Sequence, residues 1–338
     1  MAIGKLVRIM SAGASAAGIA AYFRYRKDIK SIRAAIDSGS TIAETAAGPI
    51  EYAEAGEGEP MLVIHGAGGG YDQGLLIGSD MGEGHRIIAP SRFGYLKAPV
   101  PEDPSPAAQA EAHAALLDFL GITRTVVVGV SAGAPSAIEL ALRHPRRVSA
   151  LILLVPRTYD PTGSIGVDAS AQSQAVLRLI ETSADFLFWA AMRLARSSVV
   201  RFLGVPSEVE KAASEPDRQR VTQVMRSILP LSSRVRGIAA DSSVEISPWP
   251  LERISTPTLV VSAEDDLFRT LPGARFTAEH IKGAEMHVLK SGGHLMVGQT
   301  ATIRSLVQDF LTRHRRTERR RLSSEQAAAG QELEAADA

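Results

Sequence analysis

The sequence contains no cysteine, and only 5% of its 338 residues are aromatic. Without cysteine, the chain has no thiol nucleophile, no thiolate metal ligand, no disulfide and no cysteine redox chemistry. It also lacks an excess of charge of either sign, because 37 Lys and Arg residues balance 37 Asp and Glu residues. We therefore expect no general attraction to nucleic acid, and any electrostatic recognition must be local.

The hydrophobic content of 45% is enough for one large α/β domain with an insertion. From Thr41 onward, short apolar runs alternate with amphipathic segments, a pattern typical of a mostly parallel sheet flanked by helices. The predicted central strands are residues 61–65, 86–89, 125–130, 150–155, 257–262 and 286–289. The predicted sheet-flanking helices are residues 107–120, 135–143 and 302–313.

Residues 157–250 contain no run typical of a central strand. Since an unstructured connection of that length is improbable inside a compact domain, we predict that this segment is a helical cap. Helical patterning covers residues 171–203 and 206–228 within it. The α/β core is then predicted at residues 38–156 and 251–313, followed by a basic and then low-complexity tail at 314–338.

Residues 1–37 are predicted to form an N-terminal apolar helix. Lys5 and Arg8 precede an uncharged run at 9–23, and five basic residues follow it by position 33. The run is short against the ~20 apolar residues that a membrane-spanning helix needs. A membrane anchor with the α/β domain in the cytoplasm is the preferred interpretation, because Lys and Arg are in excess after the run. The alternatives are a cleaved signal peptide, a helix lying on a membrane surface, and a packed helix of a soluble cytoplasmic protein.

The most specific motif is TVVVGVSAG at residues 125–133. It has the form G-x-S-x-G between a predicted strand and a predicted helix, where a sharp turn exposes a serine hydroxyl and requires small neighbours. A capping serine in a glycine-rich loop is the alternative. Because both the strand and the helix are in the correct positions, Ser131 is the candidate nucleophile.

A second strand ends in the glycine-rich sequence LVIHGAGGG at residues 62–70. Acyl transfer needs two N–H donors fixed around the developing oxyanion, and glycines allow the backbone to approach it closely. The backbone amides of Ala67 and Ala132 are the candidate oxyanion-hole donors, and His65 is expected to hold the loop. A phosphate-binding loop or a plain tight turn is disfavoured, since the Lys-Ser/Thr ending of phosphate-binding loops is missing.

A serine at its ordinary pKa needs a base, and the base needs an orienting acid. The sequence AEDD follows one predicted strand and SGGH follows another, in the order nucleophile, acid, histidine. His294 is the candidate base and Asp266 the candidate acid. Asp265 is the first alternative acid and Asp160 the second. No cofactor and no metal site is predicted.

With these motifs, residues 44–313 resemble the α/β-hydrolase superfamily. The resemblance rests on HGAGGG, GVSAG, AEDD and SGGH, and the sequences APSRFGYLKAP and HPRRVSALILLVP are also similar to passages of that family. The chain departs from many relatives at Ala132, where they have Met or Gln, and in HGAGGG, which replaces the commoner proline-containing loop. The resemblance implies the α/β-hydrolase fold and a serine-dependent hydrolase.

The predicted reaction is hydrolysis of a small or lipophilic carboxylic ester through an acyl-enzyme. In the cap, Phe186, Phe188, Trp189 and Phe202 are candidates for an apolar substrate pocket or, equally, for the cap's own core. The alternatives are hydrolysis of a carbon–carbon bond in a vinylogous diketone, a non-catalytic binding protein on the same fold, and a membrane-tethered scaffold.

Overall fold

An eight-stranded sheet lies at the centre of the protein, for which a computed structural model describes residues 2–163 and 184–316. Its strands are β1 (Thr41–Thr45), β2 (Gly48–Ala55), β3 (Glu59–Ile64), β4 (His85–Pro90), β5 (Thr125–Val130), β6 (Val148–Leu154), β7 (Thr258–Ala263) and β8 (Glu285–Leu289). Their order across the sheet is β1-β2-β4-β3-β5-β6-β7-β8. The β1–β2 and β2–β4 pairs are antiparallel and the others are parallel, as the predicted fold class requires.

Eleven helices of six or more residues accompany the sheet within the described ranges. They are α1 (Ala2–Ser38), α2 (Tyr71–Asp80), α3 (Pro106–Phe119), α4 (Ala134–Arg143), α5 (Ala184–Leu194), α6 (Arg196–Phe202), α7 (Ser207–Ala212), α8 (Glu215–Arg226), α9 (Val235–Ser243), α10 (Leu271–His280) and α11 (300–316). Helices α5 to α9 lie between β6 and β7 in the chain. We call residues 184–250 the cap segment.

The central strands bury side chains on both faces of the sheet. Leu62 and Ile64 of β3 belong to the apolar cluster with α3, α4 and α10, whereas Met61 and Val63 belong to the cluster with α2 and α11. Every residue of β5 is buried, as expected for a parallel strand covered on both sides. This core fixes the carboxyl ends of the parallel strands, where ligands bind in open α/β sheets.

All six predicted central strands are present, with ends that differ by at most two residues. Strands β1, at the edge of the sheet, and β2, beside it, were not predicted, because they mix polar and apolar residues and only one residue of β1 is buried. Helices α2 and α10 were also not predicted, since each contains glycine, which lowers helix propensity. In α2, Gly74 allows close packing against β4, because a Cβ on Gly74 would lie 2.8 Å from the Cβ of Ala89.

The predicted cap helices are shorter than expected. The span 206–228 is divided into α7 and α8, and the described part of 171–203 consists of α5 and α6. Residues 171–183 of that prediction lie outside the described residues.

The N-terminal helix α1 extends to Ser38. Within residues 2–163 and 184–316, no helix has both the length and the apolar character that crossing a bilayer requires. This finding argues against the transmembrane segment predicted at residues 9–23, whose uncharged run is short and rich in Ala and Gly.

Helix α1 packs against α5 of the cap segment through aromatic side chains. The rings of Tyr25 and Trp189 are 5.7 Å apart and those of Tyr25 and Phe186 are 5.2 Å apart, both edge to face. The indole N–H of Trp189 donates to Asp28 Oδ2 at 3.0 Å, and the residue is 3% exposed. Trp189 and Phe186 therefore form an interhelical contact, which agrees with the packing alternative rather than with the substrate-pocket alternative.

Candidate active site

Ser131 occupies the sharp turn between β5 and α4. Its φ of 49° lies in the left-handed region, where a non-glycine residue is strained and persists only if its surroundings hold it. A Cβ on Gly133 would lie 2.4 Å from the Ile64 carbonyl oxygen, and one on Gly129 would lie 2.7 Å from the Ala137 Cβ. The two glycines of the motif are thus required by close packing around the serine.

The structure brings together the three residues predicted to form the catalytic triad. His294 Nε2 is 2.9 Å from Ser131 Oγ, and His294 Nδ1 is 2.9 Å from Asp266 Oδ2. An Nδ1–H that donates to the carboxylate leaves Nε2 free to accept the serine proton. Since Asp266 follows β7 and His294 follows β8, parallel pairing of these strands delivers both side chains to the edge where Ser131 lies.

Asp266 is buried but well supplied with donors. The backbone N–H of Phe268 donates to Oδ1 at 2.8 Å, and the Thr270 hydroxyl donates to Oδ2 at 2.5 Å. Burial tends to raise the pKa of Asp266, but the facing His294 and the hydrogen bonds from His294, Thr270 and the Phe268 amide outweigh burial and lower the pKa below its ordinary value. The carboxyl is therefore ionised at neutral pH.

The neighbouring Asp265, the first alternative acid, has a different set of partners. It accepts hydrogen bonds from the Ser291 hydroxyl at 2.8 Å and from the backbone N–H groups of Gly292 at 3.2 Å and Gly293 at 2.8 Å. Asp265 therefore holds the loop that carries the histidine. Asp160, the second alternative, accepts the N–H and hydroxyl of Thr162.

Gly204 supports the histidine from the cap segment, and no motif in the sequence indicates this role. Its carbonyl oxygen accepts the backbone N–H groups of His294 at 3.0 Å and Leu267 at 3.1 Å. A Cβ on Gly204 would lie 2.5 Å from the His294 Cβ. Phe268 packs edge to face on the imidazole with ring centroids 4.5 Å apart, so the ring of His294 is held in one orientation.

The two candidate oxyanion donors lie on either side of Ser131. Ala132 is in the 3₁₀ turn Ser131–Gly133 that leads into α4, where first-turn amides lack an intrahelical acceptor and attract negative charge. Ala67 lies in residues 65–70, which we call the oxyanion loop. A Cβ on Gly66 would lie 3.2 Å from the Ser131 Cβ, so this loop passes directly beside the serine.

His65 supports the oxyanion loop as expected. Its Nε2 accepts the backbone N–H of Arg92 at 3.0 Å, so Nδ1 carries the hydrogen and donates to the Gly66 carbonyl at 2.7 Å. Complete burial, together with the nearby Arg92 charge, lowers the pKa of His65 well below its ordinary value. His65 is a neutral structural group.

Apolar residues and one cavity adjoin these groups. Ile228 of the cap segment lies over Gly68, and Phe188 packs with Ile228. A cavity of about 610 Å³ lies beside the turn after β7 and is lined by residues that include Phe202 and Asp266. No group of three His, Asp or Glu side chains in the described part of the chain has the arrangement of a metal site.

The fold and the geometry of this site define a hydrolase of the α/β-hydrolase family, to which the chain belongs. The family model, described as alpha/beta hydrolase fold, matches residues 59–299. This match confirms the resemblance seen in the sequence motifs.

Similar proteins carry hydrolase names. The chain is 29% identical over 264 residues to "Uncharacterized hydrolase YcgS" of Bacillus subtilis, covering 74% of this chain and 89% of that protein. It is 28% identical over 271 residues to the 2-hydroxy-6-oxo-6-phenylhexa-2,4-dienoate hydrolase of Comamonas testosteroni, covering 78% and 91%. Among solved structures, the alpha/beta hydrolase fold protein from Nakamurella multipartita matches with a TM-score of 0.60 and 28% identity, over 80% of this chain and 98% of that one.

Proposed function

We propose that this protein is a serine hydrolase in which Ser131 attacks a carbonyl carbon and forms an acyl-enzyme. The observation that carries the proposal is the hydrogen-bonded series from Ser131 Oγ through His294 to Asp266, with 2.9 Å at each contact. A serine, a base and a buried orienting acid in this geometry are the requirements for acyl transfer.

The proposed reaction assigns a role to each of these groups. His294 accepts the Ser131 proton as the Oγ–carbon bond forms, and Asp266 stabilises the resulting imidazolium. The amides of Ala67 and Ala132 donate to the oxyanion of the tetrahedral intermediate. His294 then gives its proton to the leaving group, and a water molecule activated by the same histidine releases the acid and restores the serine.

The first candidate substrate is a vinylogous diketone, cleaved at a carbon–carbon bond. The support comes from the curated relative of Comamonas testosteroni, whose printed name describes a 2-hydroxy-6-oxodienoate hydrolase and of which the alignment covers 91%.

The second candidate is a neutral carboxylic ester, supported by the pairing of three arginines close to the oxyanion loop and by apolar surface at the site; Arg201 and Arg269, which line the cavity beside Asp266, are the cations that a dienoate could use instead. A dienoate brings a carboxylate that needs a cationic partner, yet three arginines near the oxyanion loop and the serine turn are already engaged. Arg92 pairs with Asp241, Arg234 pairs with Asp72, and Arg157 donates to two backbone carbonyls. Ile228 and Phe268 add apolar surface, which suits a lipophilic acyl or alcohol group.

Side-by-side assays with a 2-hydroxy-6-oxodienoate and a chain-length series of p-nitrophenyl esters test the proposal. A kcat/KM on the dienoate far above that on the best ester supports the first candidate, and the reverse supports the second. Ser131→Ala is the control and should be inactive on both. Turnover by this variant at the wild-type rate would overturn the proposed nucleophile.

A further inference from the structure

One carboxylate of the cap segment organises the side chains that hold the oxyanion loop. The Asp241 carboxylate, in α9, accepts hydrogen bonds from both terminal nitrogens of Arg92, each at 2.6 Å. It also accepts one from the Tyr95 hydroxyl at 2.5 Å. Such a bidentate arginine–carboxylate pair is directional as well as strong. Asp241 therefore fixes the positions of both side chains.

Arg92 and Tyr95 in turn contact the oxyanion loop on either side of Ala67. Arg92 donates its Nε–H to the His65 carbonyl at 2.9 Å and its backbone N–H to the His65 ring. Tyr95 accepts the Gly68 backbone N–H at 3.4 Å. The proposed donor Ala67 thus lies between two residues whose hydrogen bonds lead to Asp241.

Burial makes this arrangement sensitive to loss of its carboxylate. Arg92 is 6% exposed and Tyr95 is 0% exposed. Burial alone would lower the pKa of Arg92, but the Asp241 carboxylate outweighs burial and raises it. A buried guanidinium that loses such a partner keeps its charge and must find another, which displaces the backbone groups it contacts.

Two further arginines tie the same part of the cap segment to the site. Arg234, fully buried, donates to the Gly69 carbonyl at 2.6 Å and to Asp72 at 2.9 Å. Arg157 donates its backbone N–H to the Ser131 carbonyl at 3.0 Å and a guanidinium N–H to the Asp241 carbonyl at 2.9 Å. The loop and the serine turn are therefore both anchored to α9 and the residues just before it.

We infer that Asp241 is a positioning residue for the oxyanion hole, which is complete only while the cap segment is docked on the loop. The inference rests on the proposed serine mechanism, because it assigns a task to the Ala67 amide.

Asp241→Asn tests the inference while keeping the size of the side chain. Removing an oxyanion donor costs on the order of 10²–10³-fold in kcat, and a displaced donor should cost roughly 10- to 100-fold, with little change in KM. The affinity for an aryl trifluoromethyl ketone should fall by the same factor, because its adduct with the serine puts an oxyanion in the hole. A purely structural role would not link these two losses.

Glu210→Gln is the matched control. Glu210 is a buried carboxylate of the cap segment that pairs with Arg196 at 3.0 Å. Neither residue is bonded to the oxyanion loop in the described part of the chain, so kcat and inhibitor affinity should stay at wild-type levels. Equal kcat in the two variants would overturn the inference.

Tyr95→Phe removes only the hydroxyl between Asp241 and Gly68, and it decides the question if the Asn variant does not fold. We expect a smaller loss of kcat in the same direction, with KM retained. In the double variant the losses should not add, since both changes act through one contact. Wild-type inhibitor affinity in Tyr95→Phe would contradict the inference, whereas failure of the proposed function itself would appear as an inactive wild-type protein.

Discussion

The acid–histidine side of the site and its oxyanion side differ in the origin of their support. Asp266 and His294 are held by neighbours in the same turns, among them Asp265 and Thr270, and the cap segment adds the Gly204 carbonyl on His294 and the Arg220 guanidinium on the Leu295 carbonyl. The oxyanion loop is linked to the cap segment through the charged side chains of Asp241 and Arg234. Both sides thus contact the cap segment, but the donors to the Asp266 carboxylate all come from the turns after β7 and β8, whereas the oxyanion loop is bonded to charged side chains of the cap segment.

The largest expected effect comes from replacing Ser131, which lies between the acid–histidine side and the oxyanion side of the site. Ser131→Ala should lower kcat by on the order of 10⁶-fold without loss of folding, because it removes the attacking atom. His294→Ala should be comparable, and the double variant little worse, since the two act as a unit. Steady-state kinetics with circular dichroism checks this, and clearly additive losses would contradict it.

The two adjacent aspartates provide the next comparison. Asp266→Asn should lower kcat by on the order of 10⁴-fold while stability changes little, because the amide favours the wrong imidazole tautomer. Asp265→Asn should instead lower the free energy of unfolding by about 2 kcal/mol, because it weakens three hydrogen bonds to the histidine loop. The kcat of Asp265→Asn should fall less than that of Asp266→Asn. Urea unfolding and kinetics on both variants separate these roles. A larger loss of kcat in Asp265→Asn than in Asp266→Asn would assign the orienting role to Asp265.

The contact between Trp189 and helix α1, which is not part of either side of the site, gives a third test. Trp189→Ala should lower the free energy of unfolding by about 3 kcal/mol, because it empties the buried contact with Tyr25 and Ile29 of α1. The ratio of kcat/KM on long and short esters should not change. A shift in chain-length preference would instead indicate that Trp189 lines the substrate pocket.

A further expected effect concerns acid pH and the oxyanion side. His65 lies in the oxyanion loop, and its pKa is lowered well below the ordinary value. Burial together with the charge of Arg92 lowers the pKa of the nearby buried His113 to about 3. Both are neutral when folded, whereas the unfolded chain protonates them near pH 6.5. Stability is therefore complete above pH 6.5 and declines below it, by about 2 kcal/mol per histidine between pH 7.5 and 5.0.

Urea titrations at the two pH values measure this decline. His113→Leu should remove about 2 kcal/mol of it, because that proton-binding group is then absent from the unfolded chain. An unchanged decline in that variant would contradict the assignment to these histidines.

The sequence was most informative where local physics decides the structure. The strand that precedes Ser131 was predicted with its observed bounds, because buried parallel strands are uninterrupted β-branched runs and the turn after it requires glycine on both sides of the serine. The structure places Asp266, rather than Asp265, beside His294. The catalytic roles of all three residues stay predictions.

Long-range partners could not be predicted in the same way. Asp241 reaches Arg92 across 149 residues, and its neighbourhood in the sequence carries no motif. Gly204 is likewise recognisable only once the cap lies against the core. The membrane anchor was proposed from hydrophobicity and flanking charge alone, and those properties do not reveal that the same helix packs on α5 through Tyr25.

The most direct test of the account is to treat the full-length protein with a fluorophosphonate and locate the adduct by mass spectrometry. The account predicts one phosphonyl group on Ser131, labelling lowered strongly by His294→Ala, and none in Ser131→Ala. An unlabelled wild-type protein that still hydrolyses its substrate, or an adduct on a different serine that abolishes activity, would contradict the central claim.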